Sequence, residues 1–284
     1  MALLSGKEAA GALKDSLKAE VEALKAKGVN PALGIIRMGA EPGDLAYEKG
    51  AKKSAEELGI AVTVFELERE AGQDELVKTI QKANSDKNIH GVLLFQPLPK
   101  HIDAFAARAA LDPSKDMDGI TDGSMAGVYS DSGKGYPPCT AESVIKILKY
   151  FKIELSGKNV VVLGRSTVIG KPVSMLLLKE NATVTICHSK TKDLKSITQA
   201  ADIVVVAMGR AWFCDKDYFR PGQYVIDVGV NRKPNGEKGT CGDVKTEEVE
   251  PFVAGITPVP GGVGSVTNTN LLTHVVEAAQ KTLA

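Results

Sequence analysis

A chain of 284 residues, 43% hydrophobic and 25% charged, is long enough for about two globular domains. Lys+Arg and Asp+Glu both number 35, so the formal charge is zero and neither nucleic acid nor another polyanion is implied as a partner. Apolar runs such as VVVLG and IVVVAMG are too short to cross a bilayer, the start MALLSGKEAAG does not resemble a secretory signal, and Cys139, Cys187, Cys214 and Cys241 stand alone, without CxxC spacing. The expectation is a reduced, cytoplasmic compartment, with no membrane span, no disulfide framework and no metal site.

The first half opens on GKEAAGALKDSLKAEVEALKAKG, whose Leu, Val and Ala residues recur at helical spacing. Strand-length apolar runs follow at 32–38 (ALGIIRM), 60–67 (IAVTVFEL) and 89–96 (IHGVLLFQ), separated by the helical patterns LAYEKGAKKSAEELG and QDELVKTIQKANSD. Strands alternating with helices predict βαβ units and a mainly parallel sheet. Residues 112–140, rich in Asp, Gly, Ser and Pro, read as loops of the functional kind, and AESVIKILKYF (141–151) as a helical connector. The second half repeats the alternation through KNVVVLG, a helix from about Gly170, ATVTICH, a further helix, ADIVVVAMG and YVIDVGV, and closes with an amphipathic helix from 267. The fold class is therefore α/β with two α/β domains, 1–146 and 147–266, the second Rossmann-like and the helix 267–284 packing back on the first.

The clearest cofactor signal is VVVLGRSTVIGKP, residues 160–172. A strand runs into Gly164, then a small-residue loop, then a helix from Gly170, which brings backbone N–H groups to a helix N-terminus suited to a phosphate. The loop is neither a Walker A sequence nor a strict GxGxxG. The next strand ends CHSKTKD, with His188, Ser189 and Lys190 where an NAD-preferring site carries its ribose-binding acid. Arg165 adds a cation, so cation and hydroxyl together suit a 2′-phosphate and make NADP the expected cofactor. A plain βα turn with solvated Arg165 and Lys190 is the alternative.

Taken together, GRSTVIGKP, CHSKT, VIDVGVN, GDV, ITPVPGGVG, KDMDG and PCT, in this order of position in their halves, resemble the signatures of the methylenetetrahydrofolate dehydrogenase/methenyltetrahydrofolate cyclohydrolase family over nearly the whole chain. The resemblance implies an active-site cleft between the two halves. It implies that Tyr47 packs on the pterin ring, that Asp118 contacts it, and that Pro258, Pro260, Gly261 and Gly262 help bind the substrate. Gly164, Arg165, Ser166, Ile169, Gly170, Ser189, Lys190 and Thr267 become the cofactor-binding residues. The lysine that serves the family's cyclohydrolase step falls on Ala51, and its supporting glutamine falls on Phe95. Gln96, one place along a strand, is expected to face the other way. Further departures are Ala141 after PCT, SVT at 265–267, and Asp44 near the start of the Tyr47 helix, where it is expected to act as N-cap.

These departures weigh differently on the two reactions. Moving a hydride from the methylene carbon between two folate nitrogens needs no proton transfer, since a nitrogen lone pair stabilises the methenyl cation, and positioning is the main requirement. Hydrolysis of that cation needs a titratable group within hydrogen-bond reach. With no certain catalytic side chain at 51 or 95, the resemblance implies an NADP-dependent dehydrogenase without cyclohydrolase activity, working as a homodimer alongside a separate cyclohydrolase. A bifunctional enzyme using a displaced base, Lys52 or Lys53, is one alternative, and a folate- or nucleotide-binding protein without turnover is another. The YxxxK pair of short-chain dehydrogenases is absent, because Tyr47 is followed four places on by Ala51.

Overall fold

The computed structural model describes residues 2–234 and 236–283, so the expected helix end at Ala284 lies outside it. Two compact units emerge: Met1–Gly11 with Thr140–Thr267, and Ala12–Cys139 with Asn268–Ala284. The chain starts with strand β1 (Ala2–Leu3) and helix α1 (Gly6–Ala26), then alternates β2 (Ala32–Met38), α2 (Pro42–Glu57), β3 (Ala61–Leu67), α3 (Gln73–Ser85) and β4 (Gly91–Leu94). Strands β2, β3 and β4 form a three-stranded parallel sheet in the order β3-β2-β4, with Ile35 opposite both Val64 and Leu93. Central β2 is buried along its whole length, which is why ALGIIRM reads as a continuous apolar run. Its one charge, Arg37, is matched by Glu48 at 2.8 Å and Glu66 at 2.9 Å.

Helix α2 begins at Pro42 with Glu41 at the N-cap, so Asp44 stands in the first turn and is not the cap. Proline at the first helical position is preorganised for the helix and has no N–H to satisfy there, which moves the start upstream. The segment 112–140 contains more than loops. After a 3₁₀ turn at Pro113–Lys115 and helix α4 (Ala104–Ala110) before it, helix α5 spans Asp122–Ser130. Thr121 caps α5 by accepting from Ser124 N–H at 3.1 Å. The connector is α6 (Cys139–Tyr150).

The larger sheet follows with β5 (Asn159–Leu163), α7 (Gly170–Lys179), β6 (Thr183–Cys187), α8 (Leu194–Ala200), β7 (Ile203–Val206) and β8 (Tyr224–Asp227). Beyond them lie a small ribbon of β9 (Asn231–Arg232) and β10 (Thr240–Cys241), helix α9 (Thr246–Val249), β11 (Gly255–Ile256) and helix α10 (Val263–Lys281). The six parallel strands run β1-β11-β8-β7-β5-β6. β1 therefore belongs to this sheet, pairing Leu3 with Ile256, and draws the first eleven residues away from the 1–146 grouping expected from sequence. From β5 the chain crosses to β6 on one side and to β7 on the other, which creates a switch point at the carboxyl ends of β5 and β7. Helix α10 starts four residues before the expected 267, and Leu271, Leu272, Val275, Val276 and Ala279 are buried with Leu33, Ile35 and Ala51 in one core.

Candidate functional site

Helix periodicity places Glu48, Ala51 and Ala55 on the buried face of α2 and leaves Tyr47 at its margin, 39% exposed. Ala51 is only 2% exposed. Phe95, just past β4, closes against Tyr47 with ring centroids 5.4 Å apart and planes tilted by 48°. A cavity of about 280 Å³ opens here, lined by Asp44, Tyr47, Leu93, Leu94, Phe95, Gln96 and Asp118. Gln96 shares this cavity, contrary to the expectation that it faces away. The strand ends at Leu94, so strict alternation no longer applies at 95 and 96. A larger cavity of about 910 Å³ lies by Ala32, Ala61 and His90, at the amino ends of the strands, and holds none of the expected site residues.

The lysines near Tyr47 are otherwise engaged or exposed. Lys52 Nζ is 2.6 Å from Glu48 Oε1, while Glu48 Oε2 accepts from Arg37 at 2.8 Å. Burial would push the Glu48 carboxyl up, but these two cations hold it below its ordinary value. Lys53 is exposed.

The KDMDG turn divides its two aspartates between support and cavity. Asp116 is buried and accepts from Ile120 N–H (3.1 Å), Thr121 N–H (2.8 Å) and Ser124 Oγ (2.7 Å), which fixes the turn. Asp118 faces the cavity. Burial pushes its carboxyl up to about 6, with Asp116 adding to the rise and Cys139 and His274 opposing it. The Tyr47 hydroxyl is pushed up by burial and by the charge of Asp118. Behind them, His274 Nδ1–H donates to Met117 O at 2.7 Å, and the Cys139 thiol donates to the same carbonyl at 3.1 Å. Sequence reasoning did not single out His274 or the role of Cys139; the PCT motif was the one available signal.

In the other unit, Gly164 has φ of +132° and sits so close to the next strand that a Cβ would come 2.2 Å from Ala207 O. Only glycine fits this approach between the ends of β5 and β7. Arg165 and Ser166 are exposed on the turn, and Ser189 and Lys190 are exposed on the turn after β6. The helix end differs from the expected row of unpaired donors. Ser166 Oγ accepts from Ile169 N–H at 3.1 Å and Gly170 N–H at 3.4 Å, Lys171 N–H donates to Ser166 O at 3.0 Å, and Pro172 has no N–H. An anion here therefore meets Arg165 and the hydroxyl-bearing turn before the helix end itself. Thr267 lies within α10, and its hydroxyl donates to Val263 O at 3.3 Å.

Across the switch point, the buried Asp243 carboxylate accepts from the N–H groups of Met208 (2.6 Å), Gly209 (2.9 Å) and Arg210 (2.7 Å), and from Asn231 Nδ2 (2.8 Å). Asp243 thus fixes the loop that follows β7. The neighbouring Asp227 is pushed up to about 7 by burial, against three backbone N–H groups that favour its charge. Pro258, Pro260, Gly261 and Gly262 line a further cavity of about 200 Å³ with Asp227, Gly229 and Thr240. These four residues belong to the unit of the larger sheet, whereas Tyr47 and Asp118 belong to the unit of the smaller one.

Two parallel α/β units, one with a glycine turn at the switch point of a six-stranded sheet, define a two-domain protein with a dinucleotide-type domain. The family model for the tetrahydrofolate dehydrogenase/cyclohydrolase catalytic domain matches residues 4–118, and that for the family's NAD(P)-binding domain matches 138–283. The bifunctional protein FolD of Carboxydothermus hydrogenoformans is 51% identical over 277 residues, covering 98% of this chain and 96% of the relative. The crystal structure of the bifunctional enzyme FolD, methylenetetrahydrofolate dehydrogenase/cyclohydrolase, from Campylobacter jejuni aligns with a TM-score of 0.95 at 38% identity over 99% of both chains. A Trypanosoma brucei methylenetetrahydrofolate dehydrogenase-cyclohydrolase, complexed with NADP cofactor and inhibitor, aligns with a TM-score of 0.91 at 33% identity, covering all of this chain and 98% of that one. The chain belongs to the tetrahydrofolate dehydrogenase/cyclohydrolase family. Among the described residues, no helix is long and apolar enough to cross a membrane.

Proposed function

We propose that the protein oxidises 5,10-methylenetetrahydrofolate to 5,10-methenyltetrahydrofolate with NADP as hydride acceptor. The observation that carries this reading is the β5–α7 turn at the switch point, within a region that matches the family's NAD(P)-binding domain. Arg165, Ser166, Ser189 and Lys190 stand exposed on the two adjacent turns and fit a 2′-phosphate, with His188, Ser189 and Lys190 directly after β6, where a ribose-binding acid would stand. NADP supplies the acceptor for the hydride. The protein's own residues position the donor carbon: Tyr47 and Phe95 offer ring faces to a pterin, and Asp118 offers a carboxylate to its polar edge. Purified protein supplied with the methylene folate and NADP should form NADPH, and folded protein that forms none at saturating substrate would remove the dehydrogenase reading.

For the hydrolytic step, relatives named bifunctional favour a second activity over a dehydrogenase alone. The dehydrogenase-alone reading rests on one feature, the buried methyl of Ala51 beside Phe95 with Lys52 held on Glu48. On the bifunctional reading the base is displaced from position 51, and Asp44, Gln96 and Asp118 are the polar side chains that line the cavity with Tyr47. Loss of the methenyl absorbance with and without protein separates the two readings. A rate equal to buffer supports the dehydrogenase alone, and a faster rate supports the bifunctional enzyme.

A further inference from the structure

The cavity at Tyr47 has a marked charge character. Its lining holds two carboxylates, Asp44 and Asp118, and two aromatic rings, Tyr47 and Phe95, and no Lys, Arg or His. Ala51, only 2% exposed, brings no charge here, and the ammonium of Lys52 is drawn to Glu48 at 2.6 Å. Aromatic faces carry negative charge density that attracts a cation, and a carboxylate in a partly dry site does so more strongly. Phe95 is held beside Tyr47 at a ring separation of 5.4 Å and is itself only 7% exposed, so it is a fixed wall of the cavity.

The two folate forms differ in charge at the point that reacts. When the hydride leaves the bridging carbon with its electron pair, a nitrogen lone pair fills the vacancy, and the bridge becomes an amidinium with one positive charge. No proton is lost in this step. A site rich in ring faces and carboxylates therefore distinguishes product from substrate by charge alone.

We propose that Phe95, together with Tyr47 and Asp118, makes this cavity selective for the methenyl form of the folate, whose bridge is a cation, over the reduced forms, whose ring nitrogens and bridge carry no charge. The inference rests on the folate reading above and extends it: Phe95 is a specificity-determining residue in its own right. A lysine at position 51 would set a like charge against the amidinium, whereas the alanine leaves it unopposed. The cavity thereby favours the oxidised state of bound folate.

The test is equilibrium binding of 5,10-methenyltetrahydrofolate and of tetrahydrofolate to the full chain at pH 7, with the methenyl absorbance read throughout to correct for hydrolysis. The methenyl form should bind tighter than tetrahydrofolate by about three- to thirtyfold. Phe95→Leu and Asp118→Asn should weaken both ligands through the shared pterin but the methenyl form by more, so that each removes most of the preference, and Ala51→Lys should lower methenyl affinity selectively. NADP binding, read separately, identifies variants that have failed to fold. Equal affinity of the unmodified protein for both ligands, or an undiminished preference in folded Phe95→Leu, would overturn the proposal and leave the dehydrogenase reading intact. Binding of neither ligand by folded protein would overturn both.

Discussion

Asp118 in the cavity and Arg165 on the β5–α7 turn are the two side chains whose charge bears most directly on ligand binding. Burial raises the Asp118 carboxyl from its ordinary 3.8 to about 6, so the folded state favours the protonated form relative to the unfolded chain. Its contribution to stability is complete below about pH 4 and is lost as the pH rises through about 6. Relative to Asp118→Asn, the unmodified protein should thus lose thermal stability across that window, and a difference independent of pH would show that Asp118 is not held in this way. Function runs in the opposite direction, because the carboxylate that attracts a cation exists above pH 6. Arg165→Ala should raise the Michaelis constant for NADP far more than that for NAD, since a charge-assisted phosphate contact is worth about 1.5–3 kcal/mol. Equal losses with both cofactors would show that Arg165 does not read the 2′-phosphate. Much at this scale was legible in sequence, because helix spacing alone put Ala51 on the face next to Tyr47. His274 and Cys139 were not legible, since 135 positions separate them and no local periodicity brings them together.

At the scale of elements, α2 and the end of β4 act as one unit around the cavity. Ala51→Lys alone should change the rate of methenyl hydrolysis little, because Phe95 crowds the new ammonium and offers it no hydrogen bond. Ala51→Lys with Phe95→Gln should accelerate loss of the methenyl form by more than the two single changes combined, as expected of groups that act together. Additive effects in a methenyl-decay assay would contradict this coupling. The βα alternation of both units was readable from strand-length apolar runs between helical patterns. Helix α5 was not, because Gly123, Ser124 and Gly127 lower helix propensity, and a tertiary approach decides the matter: a Cβ at Gly127 would lie 1.9 Å from Lys134 O. Strand β1, two residues long, carries no periodicity, and its partner lies more than 250 residues away.

For the whole molecule, the family and its two α/β domains follow from ordered motifs spread along nearly the full chain. The share of the N-terminus in the larger sheet depends on long-range pairing that no local pattern encodes. We further propose that the protein is a homodimer, and light scattering at micromolar concentration should give twice the 30.0 kDa chain mass; a monomeric mass would remove this. The central claim, hydride transfer from the folate bridge to NADP, is tested most directly by following NADPH and the methenyl product together in the first turnovers. NADPH should form from the first turnover, with methenyl product equal to it less whatever has been hydrolysed. Folded protein that yields neither signal at saturating methylene folate and NADP would contradict the claim.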